Sequence, residues 1–210
     1  MRANLLPVAQ EGWKYIASTF AFLILFFIFD LDLLIFFTSF LLLTFIYSFR
    51  NPERQLPMFE KLSVVSPSDG IVKSIIELKD SEYAYRIDIE SSSFNVGVLR
   101  VPLNAKLGSV TKSNGSRVPK NSKLFNDTNE NVELVFVDDN KNRLKVTHRL
   151  KQSFVPLFID IMKAQNLRQT ARYGLMLNGV TSVYLPHNFR LNINVGNEVK
   201  ASESLIGYFS

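Results

Sequence analysis

From Tyr15 to Phe49 the chain carries no lysine or arginine, and its only charges are Asp30 and Asp32. Ten of the 18 phenylalanines fall between Phe20 and Phe49. A segment of this kind has few ways to fold in water. Crossing a hydrocarbon core as a helix takes about 20 apolar residues, and the runs 15–29 and 33–49 are each slightly shorter than that. One continuous helix would place both aspartates in lipid, at roughly 2.5 kcal/mol or more each. Two short helices with Asp30-Leu31-Asp32 at the turn avoid that penalty. A cleaved signal peptide is disfavoured, because the apolar region is too long and lacks a small-residue cleavage site. A buried core pair and a single tilted span, with its other half lying in the interface, are the competing arrangements. Arg2 and Lys14 precede the hairpin, and Arg50, Arg54 and Lys61 follow it. The positive-inside bias therefore predicts both ends on the cytoplasmic side.

The expected organisation is a membrane hairpin over 1–49 and a soluble domain over 50–210. That second part holds 22 of the 24 basic residues and 16 of the 19 acidic ones, a balance of +6. It suits an anionic membrane surface or an anionic substrate, and equally a well-solvated exterior. No basic block interleaved with aromatics points to nucleic acid. The chain has no cysteine, which excludes disulfides, thiolate metal sites and a cysteine nucleophile. Its two histidines, His148 and His187, would need several carboxylates to hold a metal, so none is expected.

Short alternating or β-branched runs follow Arg50: 64–65, 71–76, 85–90, 95–101, 132–137, 144–148, 154–161, 181–186, 190–195 and 205–209. Turn chemistry separates them, including Ser66-Pro67-Ser68-Asp69-Gly70, and the polar stretch 111–131 reads as a long loop. Pro156 marks an edge or irregular strand. A mostly β soluble domain of about 160 residues behind an α-helical membrane hairpin is the predicted fold class.

Several stretches, in order, resemble the short bacterial form of phosphatidylserine decarboxylase. Glu11-Gly12-Trp13 before the hairpin is similar to that family's opening, and Phe49-Arg50-Asn51-Pro52-Glu53-Arg54 to its Phe-Arg-Asp-Pro-Glu-Arg. Val64-Val65-Ser66-Pro67-Ser68-Asp69-Gly70 resembles Val-Val-Ser-Pro-Ala-Asp-Gly. Phe94-Asn95-Val96-Gly97-Val98 with Arg100-Val101-Pro102 resembles Phe-Asn-Val-His-Val followed by Arg-Ala-Pro. Arg172-Tyr173-Gly174, Val183-Tyr184-Leu185-Pro186 and the segment from Val195-Gly196 through Val199-Lys200-Ala201 follow the C-terminal pattern. The resemblance covers nearly the whole chain and implies a barrel- or sandwich-like β domain.

It also implies a chemistry. Members of the family cut their own chain at a Gly-Ser pair, and the serine becomes a pyruvoyl group that acts as electron sink for decarboxylation. A histidine paired with an aspartate assists the cut. Here the aspartate is Asp69, the histidine position is Gly97, and the Gly-Ser pair aligns with Gly179-Val180, one residue short before Tyr184-Leu185-Pro186. Asn129-Glu130-Asn131 stands where Asn-Glu-Arg is expected. Thr181 and Ser182 are the nearby hydroxyls, and His148 is a substitute base. Each has a structural reading as well: Asp69 as a turn cap, His148 as a strand residue, His187 as solvated, Asn178-Gly179 as a hairpin turn. A biotinyl or lipoyl carrier is disfavoured, since Lys200 lies in the wrong part of the pattern.

The resemblance thus implies a protein of phosphatidylethanolamine synthesis at the bacterial inner membrane, binding phosphatidylserine or phosphatidylethanolamine. Its degenerate motifs make it a lipid- or partner-binding relative without cofactor, alone, as a homo-oligomer or with a partner enzyme. The alternative is an active, pyruvoyl-type decarboxylase processed at Ser182 or Thr181.

Overall fold

A computed structural model describes residues 6–54, 62–79 and 81–210, so Arg2 and Lys61 of the flanking charges lie outside the described residues. The chain divides into two compact units, Asn4–Glu53 and Arg54–Ser210.

In the first unit a 3-10 turn, Gln10–Gly12, leads into α1 (Trp13–Ile28), and α2 (Asp32–Ser48) returns. The reversal falls at the two aspartates. Asp30 adopts a positive φ of 51°, which a short polar side chain tolerates. Asp32 opens α2, where a carboxylate complements the helix dipole. The two ends are laced together: the Ala9 amide donates to the Phe49 carbonyl at 2.7 Å, and the Asn51 amide to that of Pro7 at 2.7 Å. Gly12 permits this approach, because a β-carbon there would collide with the Phe49 ring. Phe27, Leu33, Phe36 and Phe40 are 72%, 70%, 67% and 68% exposed, a surface that water does not tolerate and lipid does. Near the laced end, Tyr15 stacks on Phe49 at 5.5 Å and Arg50 lies 4.0 Å over Tyr47, side chains suited to a membrane interface. The helical stretch Gln10–Ile28, 19 residues, is long and apolar enough to cross a membrane; Asp32–Ser48, 17 residues, is a shorter apolar helix.

The second unit is built on sheets. Its elements are β1 (Ser63–Val65), β2 (Gly70–Glu77), β3 (Tyr85–Ser91), β4 (Val98–Arg100), β5 (Ala105–Ser113), the single turn α3 (Phe125–Thr128), β6 (Asn131–Val137) and β7 (Arg143–Leu150). After these come β8 (Phe158–Ile159), β9 (Asn166–Leu167), β10 (Arg172–Leu175), β11 (Gly179–Leu185), β12 (Phe189–Leu191), β13 (Glu198–Val199) and β14 (Leu205–Phe209). Eight strands form one antiparallel sheet in the order β13-β2-β3-β11-β7-β6-β5-β9, and two three-stranded sheets, β1-β14-β12 and β4-β10-β8, complete the domain. The mostly β class with an apolar N-terminal helix is thus the observed one.

Alternation decides the core. Val132, Leu134 and Phe136 of β6, Leu144 and Val146 of β7, and Ile87 and Ile89 of β3 are all fully buried in one cluster. The structure departs from the sequence reading at polar or turn-like segments. β5 runs through Ser113, into what reads as loop, and α3 interrupts the rest of it. The run 95–101 is a strand only at Val98–Arg100, and 154–161 only at Phe158–Ile159. Asn178-Gly179 does not make a hairpin: β10 and β11 belong to different sheets, and Gly179 simply begins β11.

Candidate functional site

β11 is the element that carries the candidate residues. It lies between β3 and β7 and pairs with both, Val180 facing Glu90 and Arg149, Thr181 facing Ile89 and His148, and Ser182 facing Asp88 and Thr147. Successive side chains point to opposite faces of a strand, so the two hydroxyls part company.

Thr181 points inward and is fully buried. Its Oγ1 lies 2.9 Å from His148 Nδ1, and His148 Nε2 lies 2.5 Å from the Tyr173 hydroxyl. A neutral imidazole donates through one nitrogen and accepts through the other, so this chain of three satisfies both. Burial holds His148 down to about 3 and raises the Tyr173 phenol well above its ordinary range. Both are neutral at physiological pH. His148 is therefore a polar core residue next to one candidate hydroxyl, and no solvent reaches it.

Ser182 points outward, and its Oγ donates to Asp88 Oδ1 at 2.6 Å. Ser74 donates to the other carboxylate oxygen at 2.8 Å, and Arg86 pairs with that same oxygen at 3.1 Å. Val180 lies on the same outer face.

The three positions matched to the family's processing groups gather near one end of the large sheet. The Ser91 hydroxyl donates to the Asp69 carbonyl at 2.5 Å, and Ser91 stands opposite Gly179 across the β3–β11 ladder. The Gly97 carbonyl accepts from the Met176 amide at 2.8 Å, three residues before Gly179. The groups themselves are otherwise engaged. Asp69 Oδ2 takes an ion pair from Arg54 at 2.6 Å, and Oδ1 accepts the Ala201 amide at 2.8 Å. It caps the backbone of a distant loop rather than its own turn. Arg54 also reaches Glu203 at 3.2 Å. A β-carbon at Gly97 would stand 2.7 Å from Leu177 Cδ2 and 3.1 Å from the Met176 carbonyl oxygen, so a side chain there would require the Leu177 methyl to move aside. Val180 has no hydroxyl. These residues do not fit a self-derived pyruvoyl group: the position of the nucleophile lacks an oxygen, and the position of the base lacks a side chain.

Three features escape a reading of the sequence. Arg54 and Asp69 form their ion pair across 15 residues, Ser91 joins them from β3, and Tyr173 completes the buried histidine chain. Arg54, Asp69 and Tyr173 each lie in a motif that the sequence shows, but their pairing does not, and Ser91 carries no signal. His187 is exposed, with Nε2 at 3.4 Å from the Ser81 carbonyl oxygen. Among the described residues no three potential metal ligands converge.

An apolar N-terminal helix ahead of an antiparallel β domain, with Asp69, Gly97 and Gly179-Val180 near one end of the large sheet, is the arrangement to set beside known proteins. The sequence model of the phosphatidylserine decarboxylase family matches residues 41–207. The protein is similar to the phosphatidylserine decarboxylase proenzyme of Geotalea daltonii, at 29% identity over 99% of both chains. It is also similar to those of Syntrophus aciditrophicus (31% identity, 77% of this chain and 78% of the relative) and Streptomyces avermitilis (30%, 77% and 72%). The chain belongs to the phosphatidylserine decarboxylase family, a pyruvoyl-dependent family of phospholipid synthesis.

Proposed function

We propose that this protein works in phosphatidylethanolamine synthesis as a phospholipid-binding relative of the decarboxylases that does not cut itself. Val180 carries the reading: valine stands where the chain would need a nucleophilic hydroxyl, inside a strand paired on both sides. Gly97 and the Arg54–Asp69 ion pair support it, since one removes the base and the other occupies its aspartate. The hairpin anchors the chain, the flanking arginines and lysines favour the cytoplasmic face of a bacterial inner membrane, and the bound lipid is phosphatidylserine or phosphatidylethanolamine. A homo-oligomer or a partner enzyme would supply the chemistry that this chain lacks.

The test is the intact mass of purified protein under denaturing conditions, paired with a decarboxylation assay on phosphatidylserine. A single 24.0 kDa species without product is the expected result.

One observation favours a second reading. The Thr181 hydroxyl stands 2.9 Å from an imidazole nitrogen, the reach of a general base. Processing there would give a 2-oxobutyryl rather than a pyruvoyl terminus, on a fragment of about 30 residues. Burial of both groups argues against it, because a lipid amine has no path to that carbonyl. A fragment that appears in the wild type and is lost in Thr181→Val would overturn our preference. Loss in Ser182→Ala would instead place the cut at the outward hydroxyl.

A further inference from the structure

The outer face of the large sheet forms a groove of about 540 Å³. Its floor is a polar row across three strands, Ser74, Asp88 and Ser182, and the segment joining β5 and β6 overhangs it through Lys120, Phe125 and Asn126. Four cations line this space, Lys73, Arg86, Lys120 and Arg149, against the single carboxylate of Asp88.

Half of that positive charge is answered within the protein. Arg86 pairs with Asp88 at 3.1 Å and Lys120 with Glu90 at 2.7 Å. Lys73 and Arg149 have no carboxylate within ion-pair distance among the described residues. Arg149 reaches only the Asn126 side-chain oxygen at 3.4 Å and lies 5.8 Å over the Phe125 ring. Arg86 Nε and Arg149 Nε are both buried and hydrogen-bonded to nothing, as is Thr147 Oγ1 beside Ser182 in the register. Unsatisfied buried donors are rare in folded proteins and each calls for an explanation. An arginine fork with neither a carboxylate nor a full set of acceptors suits an oxyanion.

We infer that this groove binds a phosphate ester, its phosphate held by Arg149, Lys73 and Lys120 and its neighbouring hydroxyl or ammonium group received by Asp88. The carboxylate has room for that role: two oxygens offer about four acceptor positions, and Ser74, Ser182 and Arg86 use three. Ser182 then acts as part of the floor, holding Asp88 in place. A bare anion would leave Asp88 facing it, which favours a ligand that carries a donor close to its phosphate. A phospholipid headgroup and a soluble phosphomonoester share this chemistry.

The inference rests on reading the protein as a ligand-binding relative, and the two are tested separately. The full chain in phosphatidylcholine nanodiscs is titrated calorimetrically with sn-glycerol 3-phosphate, and again with inorganic phosphate. Saturable binding of the ester is expected, weaker for phosphate alone. Arg149→Gln should weaken it by about 10-fold, Arg149→Lys by less, and Lys73→Gln by about 3-fold, while Lys163→Gln in a different region leaves it unchanged. Circular dichroism of each variant confirms that it is folded. If phosphatidylserine or phosphatidylethanolamine added to the nanodiscs competes with the ester, the source is lipid; if neither does, the source is soluble. Absence of saturable ester binding overturns the inference, as does wild-type affinity in both Arg149→Gln and Lys73→Gln. A cleaved chain that still titrates removes the non-processing reading alone, and an uncleaved chain that does not titrate removes only the groove.

Discussion

Thr181 and Ser182 are chain neighbours with hydroxyls in opposite worlds. The inner one has an imidazole at 2.9 Å and no exposure at all. The outer one borders an open, cation-lined groove, and its only side-chain partner among the described residues is a carboxylate already shared with Ser74 and Arg86. Access and a nitrogen base, which a self-processing hydroxyl needs together, are separated by the pleat of a single strand. A shift of one residue in register would exchange the two faces, but β11 is held from Gly179 to Leu185 by β3.

Mutations that break the inner face should cost most. Tyr173→Ala removes one of the largest fully buried side chains and a partner of His148, so unfolding stability should fall by about 3–5 kcal/mol, read as a lower Tm by circular dichroism. A milder probe, Tyr173→Phe, keeps the volume but strands an imidazole nitrogen and should cost about 1–3 kcal/mol. Asp69→Ala leaves the buried Arg54 with Glu203 as its carboxylate partner and frees the Ala201 amide; about 2–4 kcal/mol should be lost. Equal Tm values for this variant and the wild type would show that the ion pair is dispensable.

The inner face should also respond to pH. His148 is held at about 3 in the folded protein against an ordinary 6.5. Below about 6.5 the unfolded chain gains a proton that the folded one refuses, so stability falls as pH drops through that window. The slope is roughly 1.4 kcal/mol per pH unit. Melting curves between pH about 6.5 and 5, above most carboxylate titration, should show this slope in the wild type and not in His148→Gln. The smallest effect belongs outside. Ser182→Ala removes one bond to a carboxylate that keeps two others, and should shift stability by about 1 kcal/mol or less. A larger loss there than at Tyr173 would invert the contrast between the two faces.

The strands that bury one face were readable from the sequence because alternation is a strong signal: β3, β6 and β7 fall where 85–90, 132–137 and 144–148 predict. β5 was hidden because its outer half, Ser109 to Ser113, is polar apart from Val110 and lies near the margin of the sheet. The run 154–161 misled in the other direction. Its apolar residues pack as irregular chain around Pro156, and only two of them pair. For the site, the missing hydroxyl and the missing imidazole could be read from residue identity alone. What occupies the space instead could not. The Leu177 methyl against Gly97, and Arg54 on Asp69, arise from contacts between segments far apart in the chain, which local pattern does not encode.

The double pairing of β11 has a consequence for anyone looking for a cut in this protein. A nick at Gly179–Val180 would leave a C-terminal piece whose first strand is laddered to β3 and β7, whose β13 pairs with β2, and whose β14 joins β1 to β12. Such a piece is woven into three places on the remainder. It would co-purify, co-sediment and diffuse with it as one particle, so size under native conditions is blind to whether the polypeptide is one molecule or two.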